Sequence, residues 1–292
     1  METIITEFLH AMHQQGIVPT GGIVANGSIQ RFHISGDTSN KPNGWAVIHP
    51  GPFPSAVFGN WKTGAKHKWQ LKTPNTPEER RAHNQAMREL IRVQEAEQLK
   101  NYSVAANKAR ALIDASDPAD PTHPYLVDKG IHPHGIYQQQ YTLIVPIYDG
   151  IALASVQAIY ADGSKQFLKG GKTKGCYYGL PRMETAKTDI IICEGFATAA
   201  TLQESNPDTT VIAAFTANNL APVAQAMHRL HNAHIIIACD NDQWGEGNPG
   251  LEKGRYAAAL VRGEVIYPLF NDLDTSSHPT DFNDYVQLGG VL

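Results

Sequence analysis

The chain has 292 residues, 42% of them hydrophobic, with 24 Lys and Arg against 28 Asp and Glu and a net charge of −4. This apolar content supports real cores, in one large domain or two to three small ones, and no apolar run approaches the length of a membrane span. The cysteines, Cys176, Cys193 and Cys239, never form a C-x-x-C pair; a zinc ribbon and a disulfide framework are disfavoured, and a reducing, cytoplasmic setting is expected.

The charge is divided along the chain. Residues 1–75 are net +3, 76–150 net −2, 151–185 net +3 and 186–292 net −8. An acidic, metal-loaded site beside a basic strip would suit nucleic acid or nucleotides. Ordinary surface charge is the alternative that composition leaves open.

Residues 1–75 read as a small β-rich domain after a short helix from Ile4 to Gln15. The opening "METIITEFLHAMHQQG" lacks the basic start of a signal peptide. Phe58, Trp61 and Trp69 interleave with Lys62, Lys66 and Lys68, as in sequence-tolerant strand binders, so this domain is a candidate for template or partner binding. Trp45 and Phe32 are expected in its core. Residues 76–118 read as a helical connector: Thr76-Pro77-Glu78-Glu79 offers a cap, a proline and first-turn acids, and "DPADPTHP" stops the helix after Ser116.

Residues 119–185 hold strands such as "YTLIVPIYDG" and "ALASVQAIYADG", then a basic loop, "KQFLKGGKTKG". Its "GGKT" is not a P-loop, because Gln166 stands where the first glycine is needed and no apolar strand leads directly into it. Lys165, Lys169, Lys172 and Lys174 are either a solvated loop or a site for triphosphate or template backbone.

Residues 186–292 alternate strands (189–193, 209–215, 234–239, 264–269) with helices (196–205, 218–231, 250–262), the pattern of βαβ units. "DIIIC" and "HIIIAC" are continuous apolar runs, as in parallel strands covered on both faces. Ligand sites in such sheets lie off the carboxyl ends of strands. Glu194 stands at one end, and Asp240 and Asp242 at another, which favours a metal site over two solvated loop acids.

This order, a strand into Glu194-Gly195 and a later strand into Asp240-x-Asp242, resembles a TOPRIM domain, the metal-binding module of DnaG-type primases, topoisomerases and some nucleases. The segment "LIVPIYDGIALASVQAIYADGSKQFLKGGKTKGCYYGL" resembles the DnaG-type polymerase core. "HPYLVDKGI", "EGFATAATLQE", "NPG" and "DFNDY" resemble the TOPRIM primases of phages and plasmids, the TraC-like group. The resemblance is strong over roughly 100–292. It implies an α/β chain: a C-terminal TOPRIM domain with a Rossmann-like parallel sheet and flanking helices, an α+β primase-core segment before it, and the small β-rich N-terminal domain.

The resemblance also implies roles. Glu194, Asp240 and Asp242 would be catalytic, and with Asp281 and Asp284 would bind Mg²⁺ or Mn²⁺. Lys165, Lys169, Lys172, Lys174, Lys129, Asn218 and Asn219 would face nucleotide or template. The activity would be synthesis of short RNA primers on single-stranded DNA from NTPs, with a replicative helicase or single-strand-binding protein as candidate partners and no membrane. A metal-dependent nuclease and a non-catalytic DNA-binding replication protein are the alternatives. There are departures from the cellular pattern: no cysteines for a zinc domain, no helicase-docking domain expected after Asp284, and Thr198 where an Asp often follows the TOPRIM Glu by four residues.

Overall fold

The computed structural model describes residues 2–38, 41–180, 189–231, 233–245, 247–271 and 273–292. The chain forms two compact units, Met1–Leu99 and Lys100–Leu292. The expected division between 185 and 186 lies outside the described residues.

In the first unit, helix α1 (Glu2–Gln14) precedes β1 (Gln30–Phe32), β2 (Gly44–His49), β3 (Ser55–Asn60) and β4 (Lys66–Gln70). The strands form one antiparallel sheet in chain order. Strand alternation sends Phe32, Ala46, Ile48, Ala56 and Phe58 to one face, where they bury Phe8 and Met12 of α1. Helix α2 (Pro77–Asp114) starts with a reciprocal cap. Thr76 Oγ1 accepts from the Glu79 N–H at 3.1 Å, and Glu79 Oε2 accepts from the Thr76 N–H at 3.2 Å. The boundary between the units falls inside α2.

The second unit takes up the end of α2, where Ala109 and Ile113 pack with Ile144, Leu153 and Val156. Strands β5 (Asp117–Pro118), β6 (Tyr137–Gln139), β7 (Thr142–Asp149), β8 (Ala152–Tyr160) and β9 (Lys165–Phe167) make an antiparallel sheet in chain order, with helix α3 (Pro124–Lys129) between β5 and β6. The lysine loop after β9 leads to β10 (Tyr178–Leu180) and not to a helix, consistent with the rejection of a P-loop.

The alternating region follows: β11 (Asp189–Cys193), α4 (Phe196–Ser205), β12 (Thr210–Ala213), α5 (Ala217–His231), β13 (His234–Ala238), α6 (Pro249–Val261), β14 (Glu264–Ile266) and α7 (Phe282–Gln287). The sheet order is β10-β12-β11-β13-β14. All neighbours are parallel except β10, which runs antiparallel to β12. Ile190 and Ile192 point into one core with Leu220, Val223 and Met227 of α5 and Ala257 and Val261 of α6. Ile191 and Cys193 point into the other, with Phe196 and Ala200 of α4 and Leu143, Val145 and Ile147 of β7. Burial on both faces explains the uninterrupted isoleucines. A two-bond bridge between Tyr148 and Tyr177 (2.8 and 3.0 Å) joins the end of β7 to the segment entering β10. Cys176, Cys193 and Cys239 are free buried thiols. Among the described residues no helix is long and apolar enough to cross a membrane.

Candidate active site

Parallel neighbours β11 and β13 are in register through Cys193 and Ala238. One residue beyond Cys193 and two beyond Ala238, Glu194 and Asp240 emerge at the same carboxyl edge. The adjoining backbone is tied down: Ala214 and Phe215 donate to the carbonyls of Cys193 and Glu194 at 2.9 and 2.6 Å.

Burial dominates the electrostatics. It pushes the Asp240 carboxyl up to about 8, helped by the charges of Glu194, Asp281 and Asp242 and opposed by Lys165. Burial also raises Glu194, against a hydrogen bond from the backbone of Ala217, with Asp242 adding to the rise. Asp281 is raised by burial and by Asp284. Like charges held together out of water resist ionisation. Oδ1 of Asp240 is buried with no hydrogen-bond partner, which is costly unless a ligand or cation completes it.

Asp242 is held by the turn into α6. Its N–H donates to Asn248 Oδ1 at 3.0 Å, and its Oδ2 accepts from the Gly250 N–H at 3.0 Å. Asn248 also caps α6 through Leu251 N–H (3.2 Å) and donates to Asn241 Oδ1 (2.7 Å). A Cβ on Gly250 would lie 2.6 Å from the Asp240 carbonyl and 2.9 Å from Asp242 Oδ2. The "NPG" stretch is therefore the device that sets the second carboxylate.

Asp281 caps α7, accepting from the Asp284 N–H at 2.8 Å, and it takes a hydrogen bond from the Thr198 hydroxyl. Thr198, standing where the resemblance leads one to look for an acid, thus supports an acid on another element. Asp284 pairs with Lys129 at 3.4 Å, while Asn283 donates to the Lys129 carbonyl (2.7 Å) and to Thr201 Oγ1 (2.9 Å). These bonds lock α7 onto α3 and α4.

The Lys165 ammonium lies 5.9 Å from the Tyr125 ring centroid and would be 3.9 Å from a Cβ on Gly195, within the field of Asp281, Asp240 and Glu194. The residue keeps an exposed surface, yet the protein around its ammonium pulls its pKa below the ordinary lysine value. Tyr125 is buried, with an unpartnered hydroxyl whose pKa burial raises. Nothing in the residue types around Tyr125 marks it for the site; only its place within "HPYLVDKGI" could have drawn notice.

The other basic-loop residues differ among themselves. Lys169 and Lys174 are exposed. Lys172 is paired with Asp149, which raises its pKa through their hydrogen bond. Asn218 is exposed. Asn219 is buried, and its amide is spent inside the protein: Nδ2 donates to the carbonyls of Thr173, Cys176 and Ala214 at 2.8–3.0 Å, and Oδ1 accepts from the Gly175 N–H at 2.7 Å. Asn219 thus braces the lysine loop.

Five carboxylates (Glu194, Asp240, Asp242, Asp281 and Asp284), oxygen donors only, with one orphaned oxygen on Asp240, match the preference of hard divalent cations. Among the described residues, no three side chains are already gathered closely enough to hold a metal ion. The donor set fits a site completed by water and substrate phosphate, as is usual for Mg²⁺.

Residues 189–291, which carry this arrangement of strands and acids, match the Toprim domain family. Over most of its length the chain is similar to two DNA primases TraC from Escherichia coli. One is 31% identical over 283 residues, covering 90% of this chain and 26% of the relative. The other is 30% identical over 293 aligned positions, covering 94% and 20%. The chain thus spans about a quarter of the length of one of these curated relatives and a fifth of the other. Two bacteriophage T7 structures give weaker likenesses. One, a lagging-strand DNA polymerase with primase domains, has TM-score 0.42 and 16% identity over 56% of this chain and 84% of that chain. The other, the primase fragment of the primase-helicase protein, has TM-score 0.40 and 15% identity over 56% and 69%.

Proposed function

We propose that this chain is the catalytic part of a DNA primase, making short RNA primers on single-stranded DNA by metal-dependent nucleotidyl transfer. One observation carries the reading: neighbouring strands deliver Glu194 and Asp240 to a single half-buried acidic site that faces Lys165. The similarity to DNA primases TraC supports it.

In this reading Asp240, Asp242, Glu194, Asp281 and Asp284 hold Mg²⁺ or Mn²⁺. When bound, the metal supplies activation of a primer hydroxyl and charge neutralisation at the leaving pyrophosphate. Glu194, raised by burial, is placed to take a proton. Lys165 offers its charge to the reacting phosphates, with Tyr125 beneath it. Lys129, Lys169, Lys174 and Asn218 line the approach, while Lys172 and Asn219 hold the loop in shape. Segments 1–75, 76–118, 119–185 and 186–292 serve as N-terminal accessory domain, helical connector, basic polymerase core and metal-binding domain. The template is single-stranded DNA, the substrates are NTPs, and a replicative helicase or single-strand-binding protein is the expected partner. Three free buried thiols suit a cytoplasmic setting.

The test is incubation with single-stranded DNA, four NTPs and Mg²⁺ or Mn²⁺. New short oligoribonucleotides support the reading. A shortened template would point instead to a nuclease, and no change in either to a binding protein.

A further inference from the structure

The N-terminal sheet has two faces, and α1 covers only one. Phe58 is 1% exposed, and Trp69 packs edge-on against Phe8 at 5.3 Å. Neither can stack on a base. Lys62 is paired with Asp37 at 3.0 Å. His67 stacks on Phe58 at 5.2 Å, so of the aromatic and basic residues in 58–69 this leaves Trp61, Lys66 and Lys68. Phe32 is in the core as expected, but Trp45 is not buried and lies on the other face.

That other face carries an ordered row. Arg31 pairs with Trp45, Trp45 with Gly59, and Gly59 with Lys66, so the four lie side by side across β1 to β4. The next row places Lys68 beside Val57 and Val47. Gly59 is what lets the indole lie down: a Cβ there would be 2.9 Å from Cε2 and Cζ2 of Trp45. Trp61, 55% exposed, sets its ring 5.4 Å from that of Trp45 at 35°. Arg31, Lys66 and Lys68 are exposed and, among the described residues, unpaired.

We infer that this face, Arg31–Trp45–Trp61–Lys66–Lys68, binds single-stranded nucleic acid, with bases stacked on the two indoles and backbone phosphates held by the cations on either side. The stacking surface is flat and sequence-tolerant, and cations flank it at about three strand spacings, roughly 14 Å. Three unpaired cations call for a polyanion, and two neighbouring indoles on the same face, Trp61 exposed and Trp45 half-buried, call for unpaired bases, which a duplex does not offer. The inference rests on the sheet face alone. The template of the proposed primase is its natural ligand.

The test uses the full chain and a labelled oligo-dT of about 20 nucleotides, read by anisotropy over a salt series. Trp61→Ala should weaken binding about tenfold, and Trp61→Phe should restore it to within about threefold. Arg31→Ser/Lys66→Ser/Lys68→Ser should flatten the log–log salt slope by about 2. Circular dichroism checks that each variant is folded. Wild-type affinity and slope in folded variants would overturn the inference and return the face to a protein partner or to plain surface. A wild-type chain that binds through this face but makes no primers would sink the primase reading and leave this one standing.

Discussion

The N–H of Gly250 donates to Oδ2 of Asp242 at 3.0 Å, and the space where its Cβ would stand is filled by the Asp240 carbonyl. Both aspartates assigned to catalysis in the proposed function therefore depend on a residue with no side chain. Gly250→Ala should destabilise the protein by about 1–3 kcal/mol, since the nearest blocking atom is the Asp240 backbone carbonyl, which cannot turn aside. It should also depress synthesis more than its stability cost explains. Denaturant midpoints with an unchanged m-value, set beside initial rates, check both; an unmoved midpoint would mean that the turn relaxes freely.

The pH dependence follows from Asp240. Its carboxyl, pushed up to about 8, keeps a proton that the unfolded chain releases near about 3.9. Stability of the metal-free protein should therefore fall as pH rises from about 4 to about 8 and level off above. A divalent ion must displace that proton, so Mn²⁺ affinity should rise by up to about tenfold per unit below about pH 8. Calorimetry in buffers of unequal ionisation enthalpy reads the proton released. Asp240→Asn should remove it, and a pH-independent wild-type affinity would contradict the assignment.

The lysines should separate into two groups. Lys165→Ala removes the cation facing Asp281, Asp240 and Glu194, and should cost synthesis about tenfold to a hundredfold. Lys172 is tied to Asp149, so Lys172→Ala should act through the loop, with a smaller effect that Asp149→Asn reproduces. Initial rates for the three variants decide it. Equal losses for Lys165→Ala and Lys172→Ala would merge the lysines into one diffuse patch.

Thr198→Val keeps shape and removes the hydroxyl that bonds Asp281. The loss should cost about 1 kcal/mol of stability and weaken metal binding by raising the Asp281 carboxyl further. Thr198→Ser should retain both properties. A Val variant with wild-type metal affinity would reduce this bond to packing.

What the sequence made legible follows from burial. Strands β11 and β13 are apolar without a break because both faces are covered, so their ends, and with them Glu194 and Asp240, could be located from composition. The N-terminal sheet was harder. In "GWAVIH" both alternating sets are apolar, and only α1 decides that Ala46 and Ile48 go inward while Trp45 and Val47 do not. The bracing role of Asn219 was not legible because its partners, Thr173 and Cys176, are 46 and 43 residues away. Strand β10 is short and antiparallel at an edge, which a reading based on βαβ alternation does not anticipate.

The central claim is that one half-buried acidic site performs nucleotidyl transfer, and a direct measurement is primer synthesis by Glu194→Gln and Asp240→Asn at saturating Mg²⁺, with metal-free melting temperatures recorded alongside. Both variants should lose synthesis while melting at or above the wild-type temperature, because removing a crowded carboxylate relieves like-charge repulsion. Near wild-type synthesis by either folded variant would contradict the account.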